Sequence, residues 1–427
     1  MAPAPAASLA LPTAPARPRD PRLAQIRGAL DLGGRAFETL STRAHELHRA
    51  ISDLPFRGLQ PVPGVGEGAG AVRALHDPIT DGVYGVVRLT GQAVFGAAQT
   101  VLRVAERQAQ LAPVAPTPVG ADLVSAISGL VGDDMALRRN PLTPRMGFYR
   151  ELQRLKLAPD TLAAAFPEAR ERLVVFAHGL CCNESTWAMY RDEQPEGPTD
   201  YGGRFAARGY TPLYLRYNSG LHISQNGRAL ARQLDRLVAA WPVPVREIVL
   251  VGHSMGGLVI RAAAHSGHQR QAPWTTKVTH LLCLGSPHLG APLEQLVHRG
   301  VARMEDFALT RPLARVLRVR SAGIKDLRHG ATHDSDWRGR DLDALDGGVR
   351  QAIARIPGAR YHFLGCSLGL REGDLLDRTL GDGLVMLPSA TAHDLADADS
   401  AALFGRHHLR LLNDPVAWAW IEMQLGR

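Results

Sequence analysis

The apolar run Ile248-Val249-Leu250-Val251 passes through Gly252-His253-Ser254-Met255-Gly256 straight into Gly257-Leu258-Val259-Ile260-Arg261-Ala262-Ala263-Ala264. The first stretch reads as a buried strand and the last as a helix, so the chain must turn from one to the other within a residue or two. Glycines on both sides of Ser254 are expected to let the backbone bend sharply there. The serine is then held in a strained conformation with its hydroxyl exposed, the setting in which a Gly-x-Ser-x-Gly pentapeptide supplies a nucleophile. The pentapeptide alone also fits a structural turn; the flanking strand and helix favour the nucleophile.

The same rhythm extends on both sides of this unit. Leu173–Ala177 is a buried strand, Tyr214–Tyr217 ends another entered from Tyr210-Thr211-Pro212, and a helix is expected over about 224–240. His280–Gly285 and Tyr361–Gly365 are two more strands. Near-continuous apolar strands alternating with helices predict an α/β fold, a mostly parallel sheet with helices on both faces. Active groups on such a sheet belong at the carboxyl ends of the strands, where Ser254 lies.

Ahead of residue 150 the pattern differs. Residues 1–21 form an Ala/Pro-rich tail expected to be disordered. Apolar residues at helical spacing follow over about 22–53 (Leu23, Ile26, Leu30, Phe37, Leu40, Leu47, Ile51), then a Pro/Gly-rich break from Pro55 to Gly70. A second helix is expected over about 78–111, where Gly82, Gly85, Gly91 and Gly96 suit packing on the main domain, on a partner helix or on a membrane surface. A short helix near 121–137 completes an N-terminal helical region, 22–150, ahead of a catalytic domain over 151–427.

Bulk properties exclude some function classes. The formal net charge is +8, almost all of it arginine, with Lys156, Lys277 and Lys325 the only lysines. The arginines are interleaved with Asp and Glu, so no nucleic-acid partner is expected. Four cysteines at this length make no disulfide framework: Cys181 and Cys182 are adjacent, Cys283 lies inside an apolar strand and Cys366 follows another. The N-terminus lacks a basic segment before its short, proline-broken apolar run, and no uncharged run reaches eighteen residues, so a cytoplasmic location is the default expectation.

A serine nucleophile needs a base, an acid to orient the base, and donors for the developing oxyanion. His178-Gly179-Leu180 directly follows the Leu173–Ala177 strand, and Gly179 lets backbone approach a substrate closely. The backbone N–H of Leu180 and that of Met255, next after the nucleophile, are the expected oxyanion donors. His178 then reads as structural. The acid is expected after the strand at 361–365, where Glu372, Asp374, Asp377 and Asp382 are available.

These pieces together resemble the α/β-hydrolase superfamily, and within it bacterial lipases and esterases. The resemblance rests on His178-Gly179-Leu180 with Trp187, Gly252–Gly256, Gly285-Ser286-Pro287-His288-Leu289-Gly290, Gly381-Asp382-Gly383-Leu384-Val385 and His408-Leu409-Arg410-Leu411-Leu412, and covers about 172–427. It implies an α/β-hydrolase fold and the order nucleophile, acid, histidine. It selects Asp382 from the Gly-Asp-Gly turn, with Asp377 or Asp374 as alternatives. It also selects His408 over His407, since the base stands immediately before a Leu-x-Leu-Leu run, with His393 as fallback. A last helix is expected from Pro415 to Leu425 with Asp414 at its start.

The resemblance also implies a helical lid or cap over about 286–358, with Leu293, Leu296, Val297, Val301, Met304, Phe307 and Leu309 lining an acyl site; a rigid structural insertion is the other reading. His329, His333, Asp334 and Asp336 fit no familiar metal-ligand spacing and read as a solvated loop. No metal and no cofactor are expected. The implied activity is a carboxylic ester hydrolase of lipase or esterase type acting on an ester or lipid-like small molecule. Thioester, amide or polyester cleavage and acyl transfer use the same triad and stay open. A non-catalytic scaffold that meets a partner or, peripherally, a membrane is the reading from a different class.

Overall fold

The computed structural model describes residues 21–59, 117–290, 320–340, 353–392 and 399–426, with residue 351 and isolated positions between 73 and 100. Eight strands form one sheet in the order β2-β1-β4-β3-β5-β6-β7-β8. Their ranges are β1 Gly147–Arg150, β2 Gln153–Arg154, β3 Arg172–Ala177, β4 Tyr210–Arg216, β5 Glu247–His253, β6 Val278–Leu284, β7 Arg360–Ser367 and β8 Asp399–Phe404. Strands β3 to β8 run parallel, and the β1–β2 hairpin adds an antiparallel edge beside β4. The sheet therefore begins at Gly147, ahead of the boundary expected at 150. Strand β8 was not foreseen, and Cys366, expected after a strand, lies inside β7, paired with Leu403.

The helices among the described residues are α1 Pro21–Leu59, α2 Pro118–Leu137, α3 Pro159–Ala165, α4 Tyr201–Ala207, α5 Ile223–Ala240, α6 Met255–Gln269, α7 Ala322–His329, α8 Leu375–Leu380, α9 Leu387–Ala390 and α10 Pro415–Gly426. Alternate residues of β3 explain its continuous apolar run. Leu173, Val175 and Ala177 pack with Leu230 and Leu234 of α5 and with Leu258, Val259 and Ile260 of α6. Val174 and Phe176 face the other way, with Phe205 of α4 and with Trp418 and Ile421 of α10. Both faces are dry, so neither needs a polar residue. Asp414 starts α10 by accepting from Val416 N (2.8 Å) and Ala417 N (3.1 Å).

Two expectations need correction. Helix α1 continues past Pro55 to Leu59, although an interior proline removes one backbone donor and crowds the preceding turn. The expected break therefore starts later, and residues 60–72 lie outside the described residues, as does most of the 78–111 stretch. The 329–336 stretch is not a solvated loop. Asp334 accepts from Ser224 Oγ (2.6 Å) and pairs with Arg228 and Arg338, while buried Asp336 accepts from Thr332 N and His333 N. Partners on α5 draw Asp334 inward, and backbone N–H groups hold Asp336, which their spacing alone did not reveal. Of the 286–358 insertion, α7 is docked on the core through Leu327 and Asp326. The leucines, valines, Met304 and Phe307 proposed to line an acyl site lie outside the described residues. Among the described residues no helix is long and apolar enough to cross a membrane.

Candidate active site

Ser254 stands between the last residue of β5 and the first of α6, at φ 54°, ψ −124°. That region is costly for any residue with a Cβ. Its N–H donates to Leu284 O (2.8 Å) and its carbonyl accepts from Gly257 N (3.1 Å), which fixes the turn from both sides. The flanking glycines do a different job from the expected one. Neither Gly252 nor Gly256 has a positive φ. A Cβ on Gly252 would sit 2.6 Å from Gly256 O, and one on Gly256 would sit 2.6 Å from His178 O. They allow close backbone approach, and the strained bend falls on the serine itself.

The loop after β3 lies against this turn: a Cβ built on Gly179 would be 3.2 Å from Ser254 Cβ. Leu180, half-buried, follows, and its neighbour Cys181 has φ 61°. Met255 opens α6, so its N–H is one of the first-turn donors that the helix itself cannot satisfy. His178 is buried; its Nδ1–H donates to Gly179 O (2.8 Å), Tyr217 N donates to its Nε2 (3.3 Å), and its ring stacks on Tyr217. Burial lowers it to about 4, so it is neutral. Burial pushes the Cys181 thiol up to about 11, which leaves it unreactive at neutral pH.

Asp382 and His408 meet across the carboxyl edge of the sheet. His408 Nδ1–H donates to Asp382 Oδ2 at 2.7 Å, with both residues buried. Asp382 Oδ1 accepts from Leu384 N (2.9 Å) and Val385 N (2.7 Å), and the Cys366 thiol donates to Oδ2 (3.8 Å). The flanking Gly381 and Gly383 have φ 57° and 98°, so here glycine is required by conformation. Burial, then the Asp382 charge, holds the Cys366 thiol far above its usual range. It stays a donor.

His408 lies over Gly285, the residue after the Leu284 carbonyl that receives Ser254 N–H. Its Nε2 is buried and makes no hydrogen bond to another described residue. His253 Nε2–H donates to His408 O (3.2 Å), with the two rings 4.9 Å apart. Burial, then the charge that His408 can carry, lowers His253 to about 3. A cation on His408 therefore meets a neutral neighbour.

The alternative acids and bases sit elsewhere. Asp374 caps α8, accepting from Asp377 N (2.9 Å), and Asp377 accepts from Gly373 N (2.8 Å). Glu372 is exposed, His407 is exposed with its ring edge on Tyr190, and His393 lies outside the described residues. Sequence reasoning missed Asn413. Its carbonyl accepts from Tyr201 N (2.7 Å) and its amide donates to Trp187 O and Met189 O (both 2.7 Å), tying the turn after His408 to the loop below Leu180. Asn-Asp-Pro signals only a turn, and no local pattern names its distant partners. Among the described residues no group of three or more His, Cys, Asp or Glu side chains could hold a metal ion.

Compared with known proteins, residues 216–343 match the PGAP1-like alpha/beta domain. The structure is similar to a Bacillus licheniformis lipase in its propeptide form (19% identity, 65% of this chain and 53% of that one, TM-score 0.40). It is also similar to a lipase-esterase related protein from Clostridium acetobutylicum (12%, 60% and 94%, 0.34) and to a Pyrococcus furiosus esterase (12%, 60% and 82%, 0.35). The chain spans about half the length of the Bacillus lipase. No curated protein matches it by sequence. The eight-stranded, mostly parallel sheet and the strand–serine–helix turn between β5 and α6 give this chain the α/β-hydrolase fold.

Proposed function

We propose that this α/β-hydrolase-fold chain is a serine hydrolase that cleaves carboxylic esters through an acyl-enzyme. Ser254 is the nucleophile, His408 the base, Asp382 its orienting acid, and the N–H groups of Leu180 and Met255 the oxyanion donors. The observation that carries this reading is the buried His408–Asp382 hydrogen bond of 2.7 Å. With the proton on Nδ1, the Nε2 lone pair is the free acceptor for a hydroxyl proton.

His408 Nε2 takes the Ser254 Oγ proton while Oγ bonds to the ester carbonyl carbon and the C=O pair moves onto oxygen. The two N–H groups hold that oxyanion, each worth roughly 3–4 kcal/mol. On collapse the C–O bond to the alcohol breaks, and His408 returns its proton to the leaving oxygen. Water, deprotonated by His408, then attacks the acyl-enzyme and frees the acid and the serine. Asp382 is held in place by Leu384 N and Val385 N. An ester or lipid-like small molecule is the substrate class. The exposed Leu370, Leu375, Leu376, Leu380 and Leu384, which give the segment carrying Asp382 an apolar border, support it.

Labelling with a fluorophosphonate, followed by hydrolysis of nitrophenyl esters of increasing acyl length, tests the proposal on wild type and Ser254→Ala. Labelling and turnover that vanish in the variant are expected. Activity that persists without Ser254 overturns the assignment, and a wild type that cleaves thioesters or amides but no ester moves it to another acyl chemistry.

A further inference from the structure

Helix α2 is absent from the α/β core, yet one side of it meets the loops on both sides of the nucleophile. Toward Leu180, Asp122 Oδ1 accepts from Asn183 Nδ2 (2.7 Å) and Ser185 Oγ (3.1 Å), and Gly129 lies so close to Cys181 that an added Cβ would be 2.9 Å from its Cα. One turn on, Asn218 Nδ2 donates to Gly132 O (2.7 Å) and Ser128 Oγ bonds Asn218 Oδ1 (2.8 Å). This holds the segment whose Ser219 Oγ accepts from Cys181 N (3.1 Å). Toward Met255, Ser321 Oγ donates to Gly129 O (2.6 Å) and Ala322 N to Asp133 Oδ2 (2.9 Å), which seats α7. A Cβ on Gly323 of α7 would lie 3.1 Å from Met255 Cε.

The loop needs such support. Its own backbone bond, Cys182 N to Gly179 O, is 3.4 Å long, and Cys181 is a non-glycine residue at φ 61°. A conformation of that kind persists only where its surroundings over-determine it. We propose that α2 is a positioning element of the oxyanion pocket, clamping the Leu180–Asn183 backbone on one side and seating α7 over Met255 on the other. This rests on the ester-hydrolase reading above. It makes the N-terminal region part of the site rather than a cover: Asp122 and Gly129 touch no substrate and act through the loop.

The test uses the full chain with Gly129→Ala, Asp122→Ala, Asp122→Asn and, on the exposed face of the same helix, Leu123→Ala. A misplaced donor loses part of its effect on the transition state and little ground-state binding. Gly129→Ala and Asp122→Ala are expected to lower kcat about tenfold or more with KM within about twofold. Both weaken a trifluoromethyl ketone, which forms a tetrahedral adduct, by the same factor. Asp122→Asn, which keeps an acceptor oxygen, restores most of the loss, and Leu123→Ala changes nothing. Hydrogen exchange over residues 178–186 rises in the two damaging variants.

Folded variants with lowered thermal midpoints but unchanged kcat and ketone affinity overturn the proposal and leave α2 as packing alone. If Gly129→Ala does not fold, the Asp122 pair decides. If wild type and Ser254→Ala hydrolyse esters alike, the ester-hydrolase reading has failed instead. Exchange over 178–186 then still reports the clamp: unchanged exchange in the Asp122 and Gly129 variants rejects it.

Discussion

Ser254 holds φ 54°, ψ −124°, a conformation that glycine adopts freely and that costs a residue with a Cβ roughly 1–3 kcal/mol. Ser254→Ala deletes the hydroxyl and keeps that strain. Ser254→Gly deletes both, while loosening the unfolded chain by roughly 0.4–1 kcal/mol relative to alanine. The balance leaves Ser254→Gly more stable than Ser254→Ala by about 1 kcal/mol, the reverse of the order at an unstrained site. Heat is a poor probe of the difference. For a chain of 427 residues, unfolding entropy is about 0.9 kcal/mol/K, so the shift is about 1 °C. Urea unfolding of the two variants, followed by tryptophan fluorescence and compared at a shared slope, reads it directly. Equal midpoints, or a higher one for alanine, would refute the reasoning that the turn between β5 and α6 stores strain at Ser254.

Acidification tests the buried histidines. His178 and His253 are held neutral by burial, at about 4 and about 3, whereas in the unfolded chain they titrate near 6.5. Between these values the unfolded state binds more protons, so their contribution is full above about pH 6.5 and falls by roughly 2 kcal/mol per histidine by pH 5. Urea midpoints at pH 7.5 and pH 5 check this, and a flat profile contradicts it. Asp382→Asn is expected to lower kcat by about 10³-fold or more, while Asp374→Asn and His407→Gln stay within about twofold; an equal loss at Asp374 would reassign the acid. Gly256→Ala forces a Cβ against His178 O and should cost about 1–3 kcal/mol together with slower fluorophosphonate labelling. Normal labelling at normal stability would show that the turn yields.

The parallel sheet was legible because strands β3, β5 and β6 are buried on both faces, and double burial leaves an unbroken apolar run that sequence displays openly. The serine turn was legible for the same reason, bracketed by one such strand and a helix. Strand β8 hid because it lies at the sheet edge, and its half-exposed Asp-Ser-Ala-Ala start shows no apolar run. Among the glycines near the site, position showed but purpose did not: Gly252 and Gly256 answer to close backbone contacts, whereas Gly285, Gly381 and Gly383 hold positive φ. The Gly381-Asp382-Gly383 turn showed in the sequence because it is local, and the resemblance singled out its aspartate from the four carboxylates. The contacts of Asn413, Asp122 and Gly129 are written in distances between segments remote in sequence, and a linear pattern carries no such information.

The position of His408 beyond the last strand has a kinetic consequence. On a growing chain the serine turn can close once β6 has paired beside β5, because Ser254 N needs only Leu284 O. The histidine that lies over Gly285 is about 150 residues further along and must wait for β7, the Gly381–Gly383 turn and β8, a late step in a fold of long-range pairings. On the proposed mechanism, the molecule carries its strained serine during synthesis for some time with no base to activate it, and reactivity would arrive only when the His408 segment docks.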